Sequence, residues 1–441
     1  MPYILFIIFI IINFNINALE ISQEINHTIS PKGPLTNSEI ETIKRNLRSK
    51  SPNNFASALG KPTYTYVRCY YHSGNSKLDV NSNYKWAINP DGSYYKLYGN
   101  WFADGIFNWK NMFYTNIKLL KIKEICDNTI NKKVGEGKTS LYQVAADNVL
   151  SYNQTIWQNS SFNNKNKFDR VIAFGDSLSD NNNMYNLSYW KLPNKNSWFQ
   201  GRFSNGFTWP EYLSNNIKVQ HYNWAIGGAA SNTAKFIVPG LMQEVQSWSY
   251  YIQNDLNYRP ENTLFTILIG GNDFINYDKD VNATLNELKM ALDTLIDAGA
   301  KYIVILNLPD ITTAPFLKSD PNKAIIIKNK VAEYNKELKD LVDIEENNQV
   351  NIMLFDTYEF LEKIKSSPQE YGIVNTTDSC LNIDNSKIPY LNTQQINHNC
   401  TNPDEYLFWD NLHITTHMHK ILADEVFEEI KKHEIFRKKI R

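Results

Sequence analysis

From Phe168 onward the chain repeats one rhythm, a short and continuously apolar run followed by a longer amphipathic stretch. The runs are FDRVIAF, VQHYNWA, TLFTILI, KYIVILNL and NIMLFD; the stretches include NELKMALDTLIDAGA and NKAIIIKNKVAEYNKELKDLVDI. Runs this short read as buried strands, whereas the stretches carry helical spacing. Strands that alternate with helices need crossover connections, so the pattern predicts an α/β unit with a parallel sheet and helices on both faces. A last helix is expected to begin near Thr415. Sheets of this kind place ligands and reactive groups on the loops that leave the carboxyl ends of their strands.

Four of those loops carry small or reactive residues. After the first strand stands Gly175-Asp176-Ser177-Leu178, which presents a serine hydroxyl at the start of a helix or serves simply as an N-cap. After the second, Gly227-Gly228 lets a backbone approach a ligand and offer N–H donors, or makes a tight turn. After the third, Gly271-Asn272-Asp273 supplies a side-chain amide or an Asx-turn. The fourth, Trp409-Asp410-Asn411-Leu412-His413, brings a carboxylate within one turn of an imidazole, as a reactive pair or as a structural one.

Taken together and in this order, the blocks resemble the SGNH, or GDSL, hydrolase family, whose four blocks contribute Ser, Gly, Asn and His. The resemblance covers roughly Phe168 to the C-terminus and implies a three-layer α/β/α, flavodoxin-like domain. It implies a serine esterase with Ser177 as nucleophile, His413 as base and Asp410 holding the imidazole tautomer. The Ser177 N–H, the Gly228 N–H and the Asn272 amide are the implied oxyanion hole, with Gly228 chosen over Gly227 by alignment to the family. Asp176, Asp180 and Asp273 are expected to bond loop backbones. More narrowly, YVRCYY, DGSYYKLYGNWF and CTNPDEYLFWDNLH look like the thermolabile-haemolysin branch of secreted bacterial phospholipases, which carries a small domain ahead of the hydrolase.

At 441 residues the chain exceeds the roughly 250–300 at which single cores stop growing, so two domains are expected. Closely spaced aromatics between Thr63 and Phe107, with an Asn89-Pro90-Asp91-Gly92 turn, predict a β-hairpin inside a small β-rich domain over 40–150. Those aromatics are expected mainly to fill its core. A polar segment from Asn153 to Lys167 reads as a linker, and 168–441 reads as the hydrolase domain. The first 18 residues, apolar from Tyr3 to Ile12 and ending at small Ala18, read as a signal peptide despite lacking a basic start. Ahead of the aromatic region, Asn37-Ser38 is expected to open a short helix.

Secretion favours disulfides for Cys69, Cys126, Cys380 and Cys400; four cysteines allow three connectivities, of which the two local pairs are favoured. A formal charge of −1 provides no field for nucleic acid. The spacing of His413, His417 and His419 lacks a companion acidic or cysteine ligand, so no metal is expected, and no cofactor. The expected partner is a lipid ester, met transiently at a membrane surface. The reaction read from these residues is phospholipase A or lysophospholipase hydrolysis, with acyl transfer as an extension. A carbohydrate O-acetyl esterase and a catalytically silent adhesin or lectin-like protein are the alternatives.

Overall fold

The computed structural model describes residues 63–103, 110–146, 153–160, 167–233, 238–346, 350–383 and 389–433. The leader over 1–18 and the helix expected after Asn37 lie outside them. The described chain divides into two compact units at Ser160, with Asn75–Val80 counted in the second and Gln253–Asn257 in the first.

The first unit is a seven-stranded sheet: β1 (Thr63–Thr65), β2 (Val67–His72), β3 (Ser82–Trp86), β4 (Leu97–Ala103), β5 (Asn111–Thr115), β6 (Tyr142–Ala146) and β7 (Asn153–Gln158), in the order β1-β4-β5-β7-β6-β2-β3. Only Tyr66 separates β1 from β2, yet five strand spacings, roughly 24 Å on a flat sheet, lie between their places in that order. The sheet must therefore coil strongly. Helix α1 (Leu119–Val134) buries Ile122, Cys126 and Ile130 in the core with Val67, Leu97 and Phe113, and the Cys69–Cys126 disulfide joins it to β2.

Two expectations are met only in part. The Asn89–Gly92 turn forms, but its hairpin stops at a single bridge between Ile88 and Tyr94, because β3 pairs with β2 while β4 pairs with β1 and β5. The segment read as a linker begins as β7, between β5 and β6 in the sheet. Its polar start misled: buried Asn153 accepts hydrogen bonds from Arg68 Nη1 at 3.0 Å and the Tyr70 hydroxyl at 3.1 Å, so an asparagine serves the interior. The aromatics divide between the core and an edge-to-face chain running from exposed Tyr98 through Tyr64, Tyr66 and Trp86 to Tyr84.

The second unit carries the five strands foreseen: β8 (Arg170–Gly175), β9 (Gln220–Asn223), β10 (Thr263–Leu268), β11 (Tyr302–Leu306) and β12 (Asn351–Phe355), all parallel and ordered β12-β11-β10-β8-β9. Helices α2 (Asn183–Leu187) and α3 (Trp209–Ile217) connect β8 to β9, and α4 (Leu241–Ile252) returns to β10. Then α5 (Gly271–Ile275) and α6 (Val281–Asp297) lead to β11, and α7 (Pro321–Glu346) leads to β12. The chain goes on through α8 (Thr357–Ser366), the short strands β13 (Asn375–Ser379), β14 (Leu381–Asn382), β15 (Gln395–Ile396) and β16 (Tyr406–Phe408), and α9 (Thr416–Lys432). Right-handed crossovers in opposite directions from β8 put helices on both faces. Accordingly α4, α6 and α7 pack in succession on one another, and α3 packs on α9. The three-layer α/β/α architecture is the one expected. Chain direction reverses across the sheet between β8 and β10, the place where such folds open a crevice.

Candidate active site

Each sequence-marked group stands where the topology opens that crevice. Gly175 ends β8 with φ at +139°, and an added Cβ would sit 2.2 Å from the Leu268 carbonyl oxygen of β10, so only glycine lets the two strands close here. Its N–H donates to Glu244 Oε2 on α4 at 2.8 Å, and burial pushes that carboxyl well above the usual range. Ser177 follows, 8% exposed, with Oγ 2.8 Å from His413 Nε2. His413 Nδ1 lies 2.9 Å from Asp410 Oδ2 and 3.0 Å from Oδ1. The two residues are three apart because a tight loop returns the chain there: the Trp409 N–H donates to the His413 carbonyl at 2.8 Å, and Asp410 Oδ1 accepts the His413 N–H at 2.8 Å. Immediately afterwards the Thr415 hydroxyl caps α9 by accepting the Met418 N–H. Ser177, Asp410 and His413 are thus brought together from two ends of the unit, 236 positions apart for serine and histidine.

The two glycines after β9 differ. The Gly227 N–H donates to Asp180 Oδ2 at 2.8 Å, and a Cβ there would strike the Phe203 ring at 2.2 Å. The Gly228 N–H has no partner among the described residues; its φ is +84° and the space beside it is open. Among the described residues the Ser177 N–H likewise donates to nothing. Asn272 is fixed by Asn276, whose Nδ2 donates to its Oδ1 at 2.6 Å; its own Nδ2 donates to the Ala229 carbonyl at 3.0 Å and stands 3.5 Å from Asp176 Oδ2.

The three flanking aspartates bond backbone. Asp180 accepts from the N–H groups of Asn182, Asn183 and Met184 at the start of α2, besides Gly227. Asp273 accepts the Ser231 N–H at 3.0 Å and its hydroxyl at 2.6 Å, and Asp176 accepts the Leu178 N–H at 3.0 Å. Burial pushes Asp176 up to about 6. His417 is turned away onto the Tyr371 carbonyl at 3.0 Å, and no cluster of three metal-ligating side chains occurs among the described residues.

Sequence reading missed three neighbours. Trp198 Nε1 donates to Asp410 Oδ2 at 2.8 Å, and the Phe203 and Tyr390 rings lie 5.0 and 5.5 Å from the His413 ring. Arg202, between Trp198 and Phe203, forks onto Glu211 through Nε at 2.8 Å and Nη2 at 2.5 Å, and so fastens that loop to α3. The disulfide Cys380–Cys400 is the second local pair expected, and its segment is hydrogen-bonded to the strand preceding Asp410. A cavity lined mostly by aliphatic and aromatic side chains opens beside Ser177 and His413.

The arrangement suits nucleophilic attack by a serine oxygen, with an acceptor for its proton and unpaired N–H groups beside it. Comparison with known proteins points to an ester hydrolase. The family model described as GDSL-like lipase/acylhydrolase matches residues 171–426, and the N-terminal domain of the Vibrio dual lipase/transferase matches 29–159. The thermolabile hemolysin of Vibrio parahaemolyticus is 38% identical over 399 residues, which span 90% of this chain and 94% of that one. The phosphatidylcholine-sterol acyltransferase of Aeromonas hydrophila is 28% identical over 228 residues, 48% of this chain and 65% of the other. The secreted effector protein SseJ of Salmonella typhimurium is 26% identical over 270 residues, 58% and 62% of the respective chains.

Proposed function

The chain belongs to the GDSL-like lipase/acylhydrolase family and is a carboxylic ester hydrolase, and from that premise we propose that it is a secreted phospholipase of the A or lysophospholipase type. The observation that carries the reading is the 2.8 Å contact between Ser177 Oγ and His413 Nε2, with Asp410 on the opposite ring nitrogen. Ser177 attacks the ester carbonyl as its proton passes to His413 Nε2, and Asp410 accepts the Nδ1–H of the imidazolium that forms. The oxyanion is met by the Ser177 and Gly228 N–H groups and by Asn272. Collapse expels the alcohol, which takes the proton from His413 and leaves an acyl-serine. Water then gives one proton to His413 as it attacks the acyl carbon, and collapse of this second intermediate returns that proton to Ser177 Oγ as the fatty acid leaves.

An alcohol in place of water makes the second half an acyl transfer, a reading favoured by the relative named as a phosphatidylcholine-sterol acyltransferase. The apolar lining beside Ser177 suits an acyl chain, and the serine-histidine contact speaks against a silent adhesin. Secretion is supported by the leader-like first 18 residues and by two disulfides. The test is mass spectrometry of products from phosphatidylcholine vesicles, with and without a sterol. Fatty acid release by the purified chain and its loss in Ser177→Ala are expected; release that persists in the folded variant refutes the assignment.

A further inference from the structure

Glu244 is a buried acid that the ester cleavage does not use. It lies in the first turn of α4, is fully buried, and forms no ion pair with a cation among the described residues. Burial, with the carboxyls of Asp176 and Asp180 nearby, holds it well above the usual carboxylate range, which favours the neutral form. A buried carboxyl without a cation is costly, and an apolar side chain of that length would fill the same space with less penalty. What the acid supplies instead is an acceptor.

The sheet leaves one N–H that needs it. β9 pairs with β8 only as far as Asn223, opposite Ala173. Past that point the Trp224 N–H donates to the Ala173 carbonyl at 2.8 Å and the Ile226 N–H to the Gly175 carbonyl at 2.9 Å. In a strand the N–H and carbonyl of one residue face the same neighbour, so the Gly175 N–H is turned to the side where β9 has already ended. Glu244 Oε2 accepts it there at 2.8 Å. The same turn of α4 holds the other side of the crevice. The Leu241 N–H donates to the Ala230 carbonyl at 2.9 Å and the Met242 N–H to the Ser231 carbonyl at 3.3 Å, just beyond Gly228. Farther along α4, the buried Trp248 ring lies 6.3 Å from Phe174 of β8 and 5.1 Å from Phe265 of β10, which seats the helix on the sheet.

We propose that Glu244 is a positioning residue: by accepting the Gly175 N–H it fixes the end of β8, and with it the place of Ser177 against His413 and the Gly228 N–H. The proposal rests on the reading of Ser177 as the nucleophile. Without the acceptor the Gly175 N–H is bare in the interior, and the end of β8 relieves that by shifting. Gly175 stands two residues before Ser177, so the shift is passed on to the hydroxyl.

Steady-state kinetics of the full-length chain on p-nitrophenyl butyrate test this, with rates taken well below each variant's own Tm and expressed per folded molecule. Glu244→Met keeps the length without the acceptor, Glu244→Asp keeps the acid but falls short of Gly175, and Glu244→Gln keeps the acceptor without an ionisable group. Misplacing a reacting group by about 1 Å can cost ~10²-fold, so Glu244→Met and Glu244→Asp should each lose about tenfold in kcat with KM little changed. Glu244→Gln should stay close to wild type. A lower Tm in Glu244→Met and Glu244→Asp with wild-type kcat per folded molecule overturns the proposal, since the acid is then part of the packing alone. A Glu244→Gln as impaired as Glu244→Asp overturns it too, and that comparison decides even if Glu244→Met does not fold. Ser177→Ala separates this proposal from the reading beneath it. If Ser177→Ala keeps its turnover, the serine reading falls and the positioning role with it. If Ser177→Ala is inactive while all the Glu244 variants keep wild-type kcat, only the positioning role falls.

Discussion

Removing the Cys380–Cys400 bridge should cost activity as well as stability. The two cysteines are 20 positions apart, and closing a loop of that length stabilises by about 3 kcal/mol in the chain-entropy model. For a unit of this size each kcal/mol moves Tm by roughly 2–4 °C, so Cys380→Ser with Cys400→Ser should melt about 6–12 °C lower. The catalytic effect follows from where the loop is attached. The Cys380 N–H donates to the Phe408 carbonyl at 3.0 Å and the Leu381 N–H to the Trp409 carbonyl at 2.8 Å, directly ahead of Asp410. Misplacing a reacting group by about 1 Å can cost ~10²-fold, and a partial loosening should lower kcat by roughly tenfold with KM little changed. Initial rates on a short-chain ester, taken well below the variant's own Tm, read this out. Cys69→Ser with Cys126→Ser serves as control, since it opens the first unit and should leave kcat alone. A lowered Tm with full kcat in the Cys380/Cys400 variant refutes the argument, because the bridge is then a staple and nothing more.

Trp198→Phe keeps a ring but removes the donor to Asp410; a hydrogen bond to a charged group contributes ~1.5–3 kcal/mol, so lower stability and lower kcat are expected, and an unchanged kcat would exclude a positioning role for the indole. Asn272→Ala should lower kcat by ~10²–10³ with little change in KM, and a defect confined to KM in steady-state kinetics would contradict an oxyanion role. Asp176 gives a pH test. Its folded value of about 6 lies above its ordinary one, so its protonated form supports the fold fully below about pH 4, and that support is lost as pH rises through about 6. Asp176→Asn should therefore be more stable than wild type near pH 7.5, by up to about 3 kcal/mol in urea unfolding, with the advantage disappearing in acid; an equal advantage at both ends would mean that Asp176 does not titrate as described.

The parallel sheet was legible because each of its strands is a short apolar run bounded by helical spacing, a signal that depends on near neighbours only. The four loops were legible for the same reason, since serine, glycine, asparagine and the Asp410–His413 pair each follow a strand directly. Gly227 and Gly228 could not be told apart from the chain alone; the difference lies in Asp180, 47 positions upstream, which occupies one N–H and leaves the other. Trp198 stands 212 positions from Asp410, and no periodicity marks so distant a partner. The error at Asn153 came from treating a polar residue as a surface residue. Its partners Arg68 and Tyr70 lie on β2, 85 and 83 positions away, and burial becomes tolerable only once that strand is beside it.

The serine that begins the site leaves the first strand of its sheet, whereas the histidine facing it arrives after the last. Every other strand of the second unit is made in the interval between them. A chain interrupted anywhere in that interval holds a hydroxyl with nothing to take its proton. On the proposed reading of Ser177 and His413, a part-made chain is inert and ester cleavage begins only when the fold is complete.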